Sequence, residues 1–214
     1  MPKTIDCLIQ GYQEFRSRYF TDATVFDKLV QEGQRPKTLV IACSDSRVDP
    51  AIVLNCEPGD LFVIRNVANL IPPYENDNNT YHGTSAALEF GICMLEIRHV
   101  IVFGHTQCGG IRALMESSHE SLEDKSFITK WVELAQPAQK VVRENHAELG
   151  LEQQVDLCGK YAIIHSLKNL QTFPWIRQRV DSGQLSLHAW YFDLAKGLIT
   201  AFDEEKNCFT ELLL

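Results

Sequence analysis

Short β-branched runs alternate with stretches of helical period along most of the chain. The pattern opens helical: Ile5, Leu8, Ile9, Tyr12, Phe15 and Tyr19 recur at the spacing of one helix face, which predicts an amphipathic N-terminal helix. A second helical stretch follows around Val25 to Val30. Residues 38–43 (TLVIAC) and 60–66 (DLFVIRN) are apolar, β-branched and bounded by Pro, Gly and Asp, the mark of buried strands. Between them Asp49-Pro50 makes a helix start, with Asp as N-cap and Pro in the first turn. Residues 71–80 (IPPYENDNNT) read as one surface loop. Beyond it the pattern predicts a helix over 83–97, a third buried strand over 99–104 (HVIVFG) and another helix from Gly109 to Met115. Residues 126–172 are mostly helical with breaks at Pro137 and Gly150, and strands at 185–194 and 197–203 flank a Lys196-Gly197 turn.

Strands alternating with helices predict an α/β fold: a mostly parallel central sheet flanked by helices. The N-terminal helical arm (1–32) and a C-terminal strand region are added to it, and no linker or repeat divides residues 1–214. The arm can pack on its own domain or on a partner subunit. In such sheets, sites gather at the carboxyl ends of the strands, which directs attention to the residues after Cys43, Asn66 and Gly104.

Two of those ends carry metal-type ligands. The first strand ends in Cys43-Ser44-Asp45-Ser46-Arg47, the third in Gly104-His105-Thr106-Gln107-Cys108-Gly109-Gly110. Cys43 alone reads more readily as a core residue than as a ligand, and a lone His-x-x-Cys is a weak motif. Together at two strand ends they favour a shared Cys₂His site: three protein ligands and one open position on a tetrahedral Zn²⁺, the catalytic arrangement. Asp45 can simply cap a turn, as such residues usually do. It can also accept a hydrogen bond from metal-bound water while Arg47 holds it ionised through a bidentate contact. The glycines between 104 and 110 do not make a phosphate loop, because no Lys-Ser/Thr follows. Cys7, Cys56, Cys93, Cys158 and Cys208 have no paired motif and read as small apolar residues; His82 and His188 stay open without support.

Composition narrows the class. The chain has 214 residues, a net charge of −8 and seven cysteines. The acidic balance argues against a nucleic-acid or anionic-membrane partner, since no basic excess is available to release counterions. No apolar run approaches the ~18–20 residues of a spanning helix. An odd, sparse set of cysteines and no readable signal peptide point to a reducing cytoplasm.

At this point the motifs resemble the β-class carbonic anhydrases, in their plant-type branch. Cys-Ser-Asp-Ser-Arg, His-x-x-Cys-Gly-Gly and Pro58-Gly59-Asp60 leading into Arg65-Asn66-Val67-Ala68-Asn69 carry the resemblance, which extends over residues 25–202. It implies one zinc per chain on Cys43, His105 and Cys108, with Asp45 and Arg47 as the catalytic dyad. It implies reversible hydration of carbon dioxide to bicarbonate and a proton by attack of zinc-bound hydroxide. Gln34, Phe62, Val67 and Phe90 sit where plant-type members line the carbon dioxide pocket, partly across a dimer interface, and Gly109 joins this substrate-binding set. Phe90 replaces the plant Tyr, so no hydroxyl acts there. Another branch binds bicarbonate on Trp, Arg and Tyr; here Arg65 matches but Val40 and Phe192 do not, which argues against that pocket.

The resemblance further implies a homodimer or higher homo-oligomer, a tetramer being the expected form. Two thiolates offset the ion's charge where three histidines would not, so activity is expected to favour alkaline pH. The sequence names no proton shuttle. The rival readings are a carbon disulfide or carbonyl sulfide hydrolase on the same scaffold, and a non-catalytic zinc module. The three-ligand count and the spare Asp45–Arg47 pair speak against the module.

Overall fold

The parallel core of the sheet is built from β1 (Thr38–Cys43), β2 (Leu61–Asn66), β3 (His99–His105) and β4 (Ser186–Asp193). β5 (Leu198–Asp203) and β6 (Cys208–Glu211) add two antiparallel strands, giving the order β2-β1-β3-β4-β5-β6. This computed structural model describes residues 3–20, 25–76, 81–117 and 126–212. β1 and β3 lie side by side in the middle, Ala42 opposite Phe103, and are buried along almost their whole length. Their continuous apolar runs follow from this, since both faces of a central parallel strand are covered. Alternation sends Leu39, Ile41, Val100 and Val102 to one core and Val40, Ala42, Ile101 and Phe103 to the other.

Helix α3 (Pro50–Val53) starts as the sequence predicts, the Asp49 side chain accepting from Ala51 N at 3.1 Å. The helix expected over 83–97 is shorter: α4 (Gly83–Glu89) passes into a wider π turn, Phe90–Met94. Gly91 lets that turn press on the core, where an added Cβ would meet Leu39 Cδ1 at 2.9 Å. Glu96, at φ 56, then reverses the chain so that Ile97 enters the core. The expected α5 (Gly109–Glu116) follows β3. The long helical stretch divides into α6 (Phe127–Val132), a tight turn, α7 (Gln136–Asn145) and α8 (Leu151–Leu170). Pro137 opens α7 rather than breaking it, because the first turn needs no N–H there. Two elements escape the hydrophobic pattern: α9 (Pro174–Asp181), which starts on a proline, and the short edge strand β6. The loop expected over 71–80 is irregular through residue 76, and residues 77–80 lie outside the described ones.

Helix α8 packs across β3, and Gly104 is where they meet. A Cβ on Gly104 would stand 2.5 Å from Ile163 Cδ1 and 3.1 Å from Cγ1. Ile163 is fully buried and has nowhere to retreat. Gly104→Ala is therefore expected to destabilise the fold by about 1–3 kcal/mol, the usual range for an overpacked core. Urea unfolding would show it as a lower midpoint at unchanged slope.

The N-terminal arm stands apart. α1 (Ile5–Tyr19) buries none of its residues; Ile5 is 71% and Tyr12 60% exposed. Its far end is tethered: Arg18 pairs with Glu57 at 3.0 Å, and Phe20 stacks on Phe26 of α2 (Val25–Glu32) at 4.8 Å. The apolar stripe read from the sequence exists, and the described residues leave most of it uncovered.

Candidate metal centre

The register of β1 on β3 places Cys43 beside the last residues of β3, and His105 completes that strand. Gln107, in the left-handed region at φ 57, then turns the chain so that Cys108 caps α5. The ligand atoms of Cys43, His105 and Cys108 lie within 4.8 Å of one another, and all three residues are buried. The 62-residue gap in sequence is thus closed by strand adjacency.

The set fits a zinc ion on three counts. The two sulfurs are 3.9 Å apart; thiolates bound to one tetrahedral zinc stand about 3.8 Å apart, from Zn–S distances of ~2.3 Å. His105 Nδ1 lies 2.8 Å from the Thr106 carbonyl, which can only accept, so Nδ1 carries the proton. Nε2 is then the lone-pair nitrogen, and it is buried without a partner among the described residues, as a ligand atom would be. The thiols are also poised: the adjacent Cys108 thiol, with smaller help from the Asp45 and Ala68 N–H groups, draws Cys43 down to about 4. The same contact and burial push Cys108 up, so the pair shares a proton that a cation would displace.

Asp45 sits at the rim with its carboxylate gripped by Arg47. Nε donates to Oδ1 at 3.0 Å and Nη2 to Oδ2 at 2.8 Å, and Arg47 N adds a third bond at 2.9 Å. These contacts hold the carboxyl far below the usual carboxylate range. Arg47 also reaches the Gln107 carbonyl at 3.3 Å, joining the two ligand loops.

Three supports were not singled out by the sequence. Arg65, read above as part of a family motif and matched to a bicarbonate pocket, donates to the Cys43 carbonyl at 3.0 Å, the Asp45 carbonyl at 2.7 Å and the Asp49 carboxylate at 2.8 Å. It braces the whole Cys43–Asp49 loop. Asp156 on α8 accepts from Gln107 N at 2.9 Å and holds the left-handed turn between His105 and Cys108. Trp131 donates to the Val67 carbonyl at 2.7 Å. Only the Ala42–Arg65 register could have signalled the first of these; the others depend on helix placement. Asp156→Ala is expected to weaken zinc binding about 10–100-fold with the ligands intact, as loss of an outer support typically does. A competition titration against a zinc chelator measures it.

The expected substrate residues divide into two groups. Val67 follows β2 and packs on the Cys108 turn, where a Cβ on Gly110 would meet its Cγ1 at 2.7 Å. Gly109 has open space where a Cβ would stand. Phe62 lies opposite Leu39, four residues back from the Asn66–Cys43 end, or about 13 Å at strand rise. Phe90 stacks on it at 6.0 Å. Gln34 is exposed before β1 starts. Within one chain these three do not join the metal end. His188 is likewise remote, bonded to Ser186 at 2.8 Å near the start of β4.

The family model for carbonic anhydrase matches residues 38–199. A chloroplastic β-carbonic anhydrase of Arabidopsis thaliana is 40% identical over 188 residues. The chain belongs to the β-carbonic anhydrase family. That match covers 88% of this chain and 61% of the Arabidopsis protein. A carbonic anhydrase of Synechocystis sp. is 39% identical over 197 residues, 92% of this chain and 70% of its own. Among solved structures, the β-carbonic anhydrase CcaA is 37% identical with a TM-score of 0.88, covering 97% of this chain and 98% of that one. A tetrameric β-carbonic anhydrase of Sordaria macrospora is 26% identical with a TM-score of 0.79, covering 95% and 96%. The family read from three motifs is thus the family found, with the same α/β sheet. β-Carbonic anhydrases are zinc enzymes, and the Cys43–His105–Cys108 group can hold that ion.

Proposed function

We infer that this protein catalyses the reversible hydration of carbon dioxide to bicarbonate and a proton. The observation that carries the reading is the buried Cys43–His105–Cys108 triad with a free imidazole Nε2, beside a carboxylate already neutralised by Arg47. Zinc on Cys43 Sγ, His105 Nε2 and Cys108 Sγ would supply the Lewis acid that makes a water nucleophilic near neutral pH. The protein's own groups do the rest. Asp45, held ionised by Arg47, accepts the hydrogen of the attacking water and leaves its lone pair facing the substrate. Arg47 fixes that carboxylate as a positioning residue and ties it to the Gln107 turn. Val67 and Gly109 leave an uncharged space in which carbon dioxide can approach.

Gln34, Phe62 and Phe90 complete the substrate wall of a partner's site, Gln34 adding an amide to two apolar rings, which is why they stand away from their own chain's triad. The uncovered stripe of α1 and the tetrameric Sordaria relative support a homo-oligomer in which the 1–32 arm of a single 1–214 domain packs on a neighbour. Cys43 and Cys108 bind metal only as reduced thiolates, which favours a reducing cytoplasm. No helix of the described residues is long and apolar enough to cross a membrane.

Stopped-flow carbon dioxide hydration at alkaline pH, on protein with measured zinc, tests the reading. Rapid hydration at about one zinc per chain is expected. Zinc-loaded protein without hydration would overturn it.

A further inference from the structure

A second site lies at the opposite end of the sheet, where β3 and β4 begin. There the structure holds a cavity of about 690 Å³ lined by Glu96, Arg98, Gln178, Arg179, Ser182 and Gln184. It is separated from His105 by the length of β3, about 20 Å at strand rise. None of its residues belongs to the metal centre or the expected substrate wall.

Its chemistry is cationic in an acidic protein. Arg98 is exposed and has no acidic partner among the described residues. Arg179 places Nη1 on the Ile92 carbonyl, which anchors the guanidinium, while its Nε is buried with no acceptor among the described residues. That Nε is closed to a ligand, so an oxyanion in the cavity would meet the remaining edge of the Arg179 guanidinium, which lines it. Glu96 is the one carboxylate in the lining, against two guanidinium groups. The wall is also preformed: Gln184 N and Leu185 N both donate to the Arg179 carbonyl, at 2.9 and 3.1 Å, and fix the turn after α9.

We propose that this cavity binds a phosphate group through Arg98 and Arg179. Guanidinium forks match phosphate oxygens, and a tetrahedral oxyanion can bridge two of them. The cavity is of the size that holds a small organic ligand. The side-chain amides of Gln178 and Gln184 offer hydrogen bonds to hydroxyl groups on a molecule carrying the phosphate. The site does not depend on carbon dioxide chemistry and stands if that reading falls.

Calorimetric titration of the zinc-loaded full chain with inorganic phosphate, glycerol 3-phosphate and glycerol tests the proposal. Phosphate-bearing probes should bind once per chain and glycerol should not. Arg98→Gln should weaken that binding at least about tenfold, the loss of one charge-assisted pair, with hydration rate and circular dichroism unchanged. Arg179→Lys keeps the charge but loses the fork, and should weaken it as well. Tighter binding of the ester than of phosphate upholds the site and names an esterified ligand; equal binding upholds it with free phosphate. Binding of neither probe overturns the proposal. So does binding that Arg98→Gln leaves undiminished, because it would then belong to the metal centre or another surface.

Discussion

Cys108→Ser is expected to strip the protein of zinc and return carbon dioxide hydration to the uncatalysed rate. One thiolate is lost outright, and a serine hydroxyl does not ionise to replace it. The fold should survive: the substitution is nearly isosteric, and a buried hydroxyl costs about 1–3 kcal/mol when poorly bonded. Elemental analysis, circular dichroism and stopped-flow hydration on one sample distinguish this from unfolding. Cys208→Ser, at an exposed cysteine on β6, should keep both zinc and rate. A Cys108→Ser protein that retained zinc and activity would remove the triad from the mechanism.

Asp45→Asn should slow hydration by about 10²–10⁴-fold, the usual weight of a positioned acid–base group, while zinc stays bound. The amide keeps the shape, but its NH₂ is a donor where the water's hydrogen needs an acceptor. It also turns a donor toward Arg47, whose Nε and Nη2 now bond the two carboxylate oxygens at 3.0 and 2.8 Å. Arg47→Ala should show the same defect more weakly, since Arg47 N would still hold Oδ1. Zinc content decides between roles: a variant that lost metal with rate would make Asp45 a structural support of the loop.

Much of this site was legible in the sequence because strand ends and ligand types are local features. The runs 38–43 and 99–104 read as buried strands, and parallel adjacency would bring Cys43 near His105. Asp45 and Arg47 were readable for the same reason, being two and four residues from a ligand. What stayed hidden depends on distant packing. Asp156 looks like any acid on α8, and only the placement of that helix across β3 sets it under Gln107 N. Arg65 was visible, but its grip on the Cys43 and Asp45 carbonyls is a matter of backbone atoms that no side-chain pattern encodes. The π turn at Phe90–Met94 has the same apolar spacing as the helix it follows, so periodicity could not mark the change. α9 was lost behind Pro174, a residue that starts helices as readily as it ends them.

The distance between Phe62 with Phe90 and their own chain's triad would give a homo-oligomer a genetic property. If each metal centre faces a neighbour's phenylalanines, a chain without Cys108 still carries a sound wall, and a chain without Phe90 still carries sound ligands. Mixed in one dimer, two such defective chains restore one complete site. Alleles of this protein would then complement each other within the oligomer, and the unit of inheritance and the unit of catalysis would not coincide.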